Sequence, residues 1–358
     1  MILLGSTGSI GVNTLNIARE FGLSAEVLVA GTNMTLLKEQ IEEFHPRIVV
    51  VGSHEAAKQL GPIDAKLFIG EEGILEALNL AKGRLVVNAL VGYLGLKPTL
   101  EAIRLGKKVA LANKESLVVA GRFIDMTKIT PIDSEHFALW YLLNGRPVSK
   151  MVITASGGPF RDRPLDALHS VSVDEALKHP NWSMGQKITI DSATMTNKLF
   201  ELLEARWLFG PSITYDAIIE PRSLVHALVE FVDGVTTMQL SVADMRLPIA
   251  YAVIGEVEKP LFGHIDLLEL QTLSFRPIET ARYPIWELKE LLLARPELGV
   301  VVNAANEVAV EAFLRRQCSF LDISKTTLKA VKAFDDVVVQ SLDDVIAIDQ
   351  EVRKFCLA

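Results

Sequence analysis

From the first residue to about residue 132, short unbroken apolar runs alternate with amphipathic stretches. The runs fall at 2–4, 27–30, 48–51, 66–69, 85–87, 108–111 and 129–132, and helical spacing of apolar positions separates them, as over 34–43 and 96–105. Unbroken Val, Ile and Leu, as in RIVVVG and RLVVNAL, mark strands covered on both faces. Such strands in alternation with helices predict βαβ units, and hence a doubly wound parallel sheet over residues 1–132.

Beyond residue 132 the rhythm changes. Longer strands with partial alternation (SLVHALVEF, VTTMQLSV), a polar loop around Trp182 and one strong helix over about 195–209 predict a central α+β domain over 133–255. That helix stops at Gly210-Pro211, and no capping box marks its start. Residues 256–284 carry prolines and little periodicity, and read as a connector. Helices over roughly 285–294, 300–316, 321–334 and 341–356 predict a C-terminal helical bundle over 285–358 with a structural role.

At 358 residues and 49% hydrophobic content, the chain exceeds what one core usually serves. A net charge of -8 and a pI near 5.5 argue against a nucleic-acid surface, for which a domain pI above ~9 is usual, so any phosphate is held locally. Cys318 and Cys356 lack the spacing of a zinc site and read as free thiols. Met1 runs straight into a strand-like segment, and no apolar stretch is long enough to cross a bilayer. A cytoplasmic protein without membrane association is the expectation.

Candidate chemistry sharpens this picture. Gly5-Ser-Thr-Gly8-Ser-Ile-Gly11 follows the first strand and opens a helix, the setting of a turn whose N–H groups and helix dipole face a pyrophosphate. After the second strand, Ala30-Gly31-Thr32-Asn33 places no acid where NAD enzymes bind the ribose hydroxyl, which leans toward NADP. Asn113-Lys114-Glu115 follows the strand KVALA, where it can bridge cofactor and substrate or simply cap a helix.

Asp133 and Glu135, at i and i+2 of a strand end, can point the same way from extended backbone. With Glu201 they supply three hard oxygen donors suited to Mg2+ or Mn2+. The stretch HPNWSMGQKITIDSATMTNKLFE, from His179 to Glu201, packs polar groups most densely. Ser192, Asn197 and Lys198 can surround a phosphate, with Glu201 on the same helical face as Asn197 and Lys198. Ser156-Gly157-Gly158 forms a second anion-compatible turn. His179 and Trp182 lie in a segment suited to a mobile loop closing over a ligand. His136, His226 and Trp207 read as structural, Trp207 on the apolar stripe of Leu199, Leu203 and Phe209.

The motifs LGSTGSIG, LANKESLV, PIDSEH, SGGPF, HPNWSMG, DSATMTNK with Glu201 and EARWLF, DMRLPIA and NAANEVAV occur in that order. In them the chain resembles the 1-deoxy-D-xylulose 5-phosphate reductoisomerase family over nearly its whole length. The resemblance implies a Rossmann-like first domain and NADPH- and metal-dependent conversion of 1-deoxy-D-xylulose 5-phosphate to 2-C-methyl-D-erythritol 4-phosphate by a homodimer. The metal would be Mg2+ or Mn2+, with Co2+ as a further candidate.

Asp133, Glu135 and Glu201 would ligate the metal, and Lys198, Glu135 and His179 would serve catalysis. Ser134, Ser156, His179, Trp182, Ser192, Asn197, Lys198 and Glu201 would contact substrate, under a flap near 180–187. Gly5, Ser6, Thr7, Gly8, Ser9, Ile10, Gly31, Asn33, Asn113, Lys114, Glu115, Gly185 and Met245 would meet the cofactor. Thr32 stands where the family often carries a basic residue that grips the 2'-phosphate. The main rival reading, another NADP-dependent dehydrogenase of the homoserine or semialdehyde type, needs no three-acid site, so metal dependence separates the two.

Overall fold

The computed structural model describes residues 1–358. In chain order its first half runs β1 (Ile2–Leu4), α1 (Ser9–Glu20), β2 (Val27–Ala30), α2 (Met34–Phe44), β3 (Ile48–Val51), α3 (His54–Leu60), β4 (Lys66–Ile69), α4 (Gly70–Leu80), β5 (Leu85–Asn88), α5 (Leu96–Arg104), β6 (Lys108–Leu111), α6 (Lys114–Ala120), β7 (Ile129–Pro131) and α7 (Ser134–Leu142). The middle holds β8 (Val148–Ala155), α8 (Val173–Ala176), α9 (Gln186–Thr194), α10 (Thr196–Phe209), β9 (Thr214–Ile219), β10 (Val225–Phe231), β11 (Thr236–Leu240) and α11 (Arg246–Ile254). Helices α12 (Leu267–Leu270), α13 (Lys289–Ala294), α14 (Gly299–Leu314), α15 (Phe320–Ala333) and α16 (Leu342–Leu357) complete the chain.

The chain forms two compact units, one of residues 1–116, 124–134 and 244–261, the other of 117–123, 135–243 and 262–358. The first is an α/β unit with seven parallel strands in the order β4-β3-β2-β1-β5-β6-β7. The order reverses between β1 and β5, and the carboxyl ends of strands at such a switch point are where doubly wound sheets take their ligands. Leu3 sits in register with Leu28 and Val87, all fully buried, as the unbroken apolar runs require. Residues 244–255, expected in the central domain, pack here instead. Ile249 and Ala250 of α11 enter the same core as Leu3 and Val87, the helix packing against α1, β6 and β7.

The second unit holds a four-stranded sheet in the order β11-β10-β8-β9, antiparallel except for the β8–β9 pair. Phe160, Leu168 and Ile190 share one core with Phe313, Phe320 and Ile323, so the C-terminal helices and the central segment are built around common apolar contacts. One element was not expected: α9, in a stretch whose Thr, Ile and Ser content gives weak helix propensity. Tertiary burial holds it, since every residue from Thr189 to Thr194 is buried.

Candidate active site

Around Gly5 the first unit makes a tight turn. Gly5 has φ +90°, and a Cβ there would lie 2.5 Å from the Ala89 carbonyl oxygen after β5, so β1 and β5 approach each other only because this residue has no side chain. The N–H groups of Gly5 and Ser6 both donate to Val29 O, at 2.9 and 2.8 Å, which ties the turn to β2. Gly8 is the N-cap of α1 and no side chain caps that end, the arrangement in which first-turn N–H groups are open to an anion. Thr7, Ser9 and Ile10 belong to this turn and helix start.

Asn33 caps α2 by accepting from Leu36 N at 3.2 Å, with Gly31 just before it. Asn113 is a fully buried clamp. Its amide donates to Leu90 O, Gly92 O and Glu115 Oε2, while its oxygen accepts from Ser116 N. The capping reading of Asn113 at the start of α6 therefore holds. Lys114 pairs with Asp133, and Met245 begins α11 half-buried against the core.

In the second unit, α10 presents Asn197, Lys198 and Glu201 on one buried face, as the i, i+3, i+4 spacing requires. The Lys198 ammonium donates to Glu135 and, at 2.6 Å, to Glu201 Oε2, and the Asn197 amide donates to Glu201 Oε1. Burial works against this ammonium, but the two carboxylates outweigh it and hold Lys198 above its ordinary pKa. Lys198 is therefore a fixed positive charge.

Glu135 and Glu201 offer oxygens within 4.8 Å of each other, and Asp133 stands two residues before Glu135 in the chain. The route to this grouping differs from the expected one. Glu135 lies in the first turn of α7 rather than on extended backbone, so a strand-to-helix junction aims the pair, with Ser134 buried between them. His136 holds α7 to α10 through a 2.8 Å contact between its Nε2 and the Glu201 carbonyl, which keeps Glu135 and Glu201 in register. His136 also stands within 4.8 Å of buried Glu204, a residue that no sequence motif singled out.

His179 is the hub of a polar cluster. Its Nδ1 accepts from the N–H groups of Asn181 and Trp182 at 3.2 and 2.9 Å, so in the neutral ring the proton sits on Nε2. Nε2 faces Ser156 Oγ at 2.9 Å and Ser192 Oγ at 3.2 Å. Burial, then the Lys198 ammonium, push this imidazole down to about 4 against a smaller opposing pull from Glu135. His179 is thus neutral at pH 7.

The turn after β8 is clamped from several sides. Ser156 Oγ accepts from Gly158 N at 3.0 Å, Arg161 donates to Ser156 O at 2.7 Å, and Tyr283 donates to Gly157 O at 2.8 Å. Gly158 has φ +68°, and a Cβ there would lie 2.9 Å from Ala193 Cα, so the turn packs directly on the end of α9. The segment 180–187 runs into α9, with Gly185 as its exposed N-cap. Trp182 sets its ring edge-on to His226, with centroids 6.1 Å apart. His226 is therefore part of this cluster, although its apolar strand suggested a purely structural role. Trp207 is only partly buried, at the end of α10 where the helix leaves the core.

The depressed imidazole has a consequence for stability. Above pH 6.5 His179 is neutral folded or unfolded and contributes nothing; as pH falls from 6.5 toward 4 the unfolded chain takes the proton first, so folding stability is lost across that window. In melting curves taken from pH 7 to 4, His179→Gln should flatten this acid-side decline. A slope identical to the parent's would reject the assignment.

Fold and site together define a dinucleotide-binding, cation-assisted enzyme for an anionic substrate. Family models match almost all of the chain: 1-deoxy-D-xylulose 5-phosphate reductoisomerase over residues 1–121, its C-terminal domain over 129–209, and a DXP reductoisomerase C-terminal domain over 240–355. The 1-deoxy-D-xylulose 5-phosphate reductoisomerase of Wolinella succinogenes is 54% identical over 356 residues, covering 99% of both chains. That of Nautilia profundicola is 55% identical over 364 residues, again covering 99% of each. A crystal structure of DOX-P reductoisomerase in complex with NADPH, fosmidomycin and magnesium superposes with TM-score 0.90 at 35% identity, covering 99% of this chain and 97% of that one. The chain belongs to the 1-deoxy-D-xylulose 5-phosphate reductoisomerase family.

Proposed function

We propose that this chain converts 1-deoxy-D-xylulose 5-phosphate to 2-C-methyl-D-erythritol 4-phosphate with NADPH and a divalent cation, in the non-mevalonate route to isoprenoid precursors. Buried Lys198 between Glu135 and Glu201, with Asp133 two residues before Glu135, carries this reading. Lys114 pairs with Asp133 in one unit and Lys198 with Glu135 and Glu201 in the other, two ammonium groups for three carboxylates. That leaves a net negative charge on hard oxygen donors, which fits Mg2+ or Mn2+, and Co2+ as well. The uncapped start of α1 behind Gly5 likewise fits the pyrophosphate of NADPH.

When bound, the cation supplies Lewis-acid stabilisation of a developing oxyanion and NADPH supplies the hydride that reduces the rearranged aldehyde. The protein's side chains do the rest. Lys198 holds permanent positive charge beside the reacting oxygens. Neutral His179 donates its Nε2 proton to a substrate oxygen, in the place now taken by Ser156 and Ser192. Ser156, Ser192 and Asn197 bind the phosphate and neighbouring hydroxyls, with Ser134 beside them. Trp182 closes over the bound substrate and excludes water, so remote phosphate binding is used to align the reacting carbon. The first-unit residues from Gly5 to Ile10, with Gly31, Asn33, Asn113, Lys114, Glu115 and Met245, hold the cofactor.

The deciding experiment follows NADPH absorbance with 1-deoxy-D-xylulose 5-phosphate, with and without Mg2+ or Mn2+. Metal-dependent oxidation is expected, with NADH a poorer donor. Absence of oxidation by folded protein that still binds NADPH would overturn the reading in favour of another dehydrogenase. No helix of the chain is long and apolar enough to cross a membrane. A cytoplasmic homodimer is the assembly we expect, which a monomeric mass in light scattering would contradict.

A further inference from the structure

The NAANEVAV segment of α14 has no part in the chemistry above, yet it reaches the substrate cluster by one buried contact. The Asn306 side-chain amide donates to Asp191 Oδ1 at 2.7 Å, and the Lys187 ammonium donates to Asp191 Oδ2 at 2.8 Å. Asn306 is fully buried and Asp191 is 2% exposed. A carboxylate this deep is costly unless donors meet both oxygens, and here they come from the helix's own preceding turn and from a helix remote in sequence.

Asp191 immediately precedes Ser192, whose hydroxyl is one of the two facing His179 Nε2. Three residues further, Met195 turns the chain from α9 into α10 with φ +71°, a left-handed conformation that a non-glycine side chain adopts only where its surroundings impose it. Any slack in α9 would therefore displace Ser192 on one side and tilt the helix bearing Asn197, Lys198 and Glu201 on the other. We propose that Asn306 is a positioning residue of the active site: through Asp191 it fixes the rotation of α9, and so the place of the Ser192 hydroxyl and of His179 against the substrate. This assigns the C-terminal helices a function beyond support, and it rests on the reading that Ser192 and His179 hold the substrate.

The test is Asn306→Leu, which keeps approximate volume but removes the donor. Misplacement of a binding group by about 1 Å is enough for a large kinetic loss. KM for 1-deoxy-D-xylulose 5-phosphate is expected to rise at least tenfold, with a smaller fall in kcat and NADPH affinity unchanged. In NMR spectra without substrate the His179 ring resonances should shift, a readout that needs no turnover and so remains decisive even if the proposed reaction is wrong. A lowered melting temperature with parental KM and unmoved His179 resonances would mean a merely structural contact and overturn the proposal. Should Asn306→Leu fail to fold, Asn306→Ser carries the same two readouts, and Asp191→Asn, which still accepts from Asn306, should retain KM closer to the parent than either.

Discussion

Glu201→Gln is expected to lower turnover at least ~100-fold while leaving NADPH affinity unchanged. The substitution keeps the shape of a side chain that is 1% exposed, so packing is conserved. What it removes is charge and acceptor capacity. Glu201 now takes the Asn197 amide on one oxygen and the Lys198 ammonium on the other, and glutamine must turn a donor NH2 toward one of those donors. On the proposed reading a cation would lose one of three hard oxygen donors, and Lys198 keeps Glu135 alone to offset its burial. Removing one preorganised electrostatic stabiliser typically costs about 100-fold to 1,000-fold in kcat. NADPH fluorescence titration should be unaffected, because the Gly5 turn belongs to the other compact unit. Near-parental turnover at saturating metal would reject a metal-ligating role for Glu201.

Gly11→Ala should be nearly as damaging, by a different route. A Cβ at residue 11 would lie 2.2 Å from Gly5 O and 2.6 Å from Ser6 backbone atoms, and since every clash is with main chain, no flexible side chain can yield. The turn itself must open. We expect NADPH to bind about 100-fold more weakly, with a lower melting temperature, strain of this kind costing about 2–4 kcal/mol. Gly8→Ala is the control for loop shape: its Cβ would meet Gly5 O at an ordinary 3.5 Å, and its backbone is already extended at φ -80°. It should melt like the parent. Equal melting temperatures for all three proteins would show that close packing of this turn does not hold it together.

Much of the fold was legible because its signals are local. Strands buried on both faces leave unbroken apolar runs, and the seven runs named from sequence agree with β1 to β7 to within a residue. The C-terminal helices were readable from their 3.6-residue periodicity. Helix α9 was not, because Gln186–Thr194 carries little intrinsic preference and is helical through burial. The placement of α11 in the first unit was likewise hidden, since an apolar helix does not announce which core it joins.

The same division runs through the site. The Gly5 turn announces itself by its glycine spacing after a strand, although β2 and the end of β5 hold it in place, and Asn197, Lys198 and Glu201 share a face by helical spacing alone. Asp133 and Glu135 do not share extended backbone as the sequence suggested: the strand ends at Pro131 and Glu135 stands in the first turn of α7. The edge-on contact of His226 with Trp182 joins segments distant in sequence and left no local signal. By itself, then, the sequence determined the parallel sheet, the glycine turn after its first strand, the polar helix face and, through its ordered motifs, the family. Only the tertiary structure decided that Lys198 reaches Glu135 across 63 residues and Asn306 reaches Asp191 across 115. Backbone periodicity acts over a few residues, whereas buried charges find partners wherever folding brings donors into the same water-excluded space, and no local pattern encodes that choice.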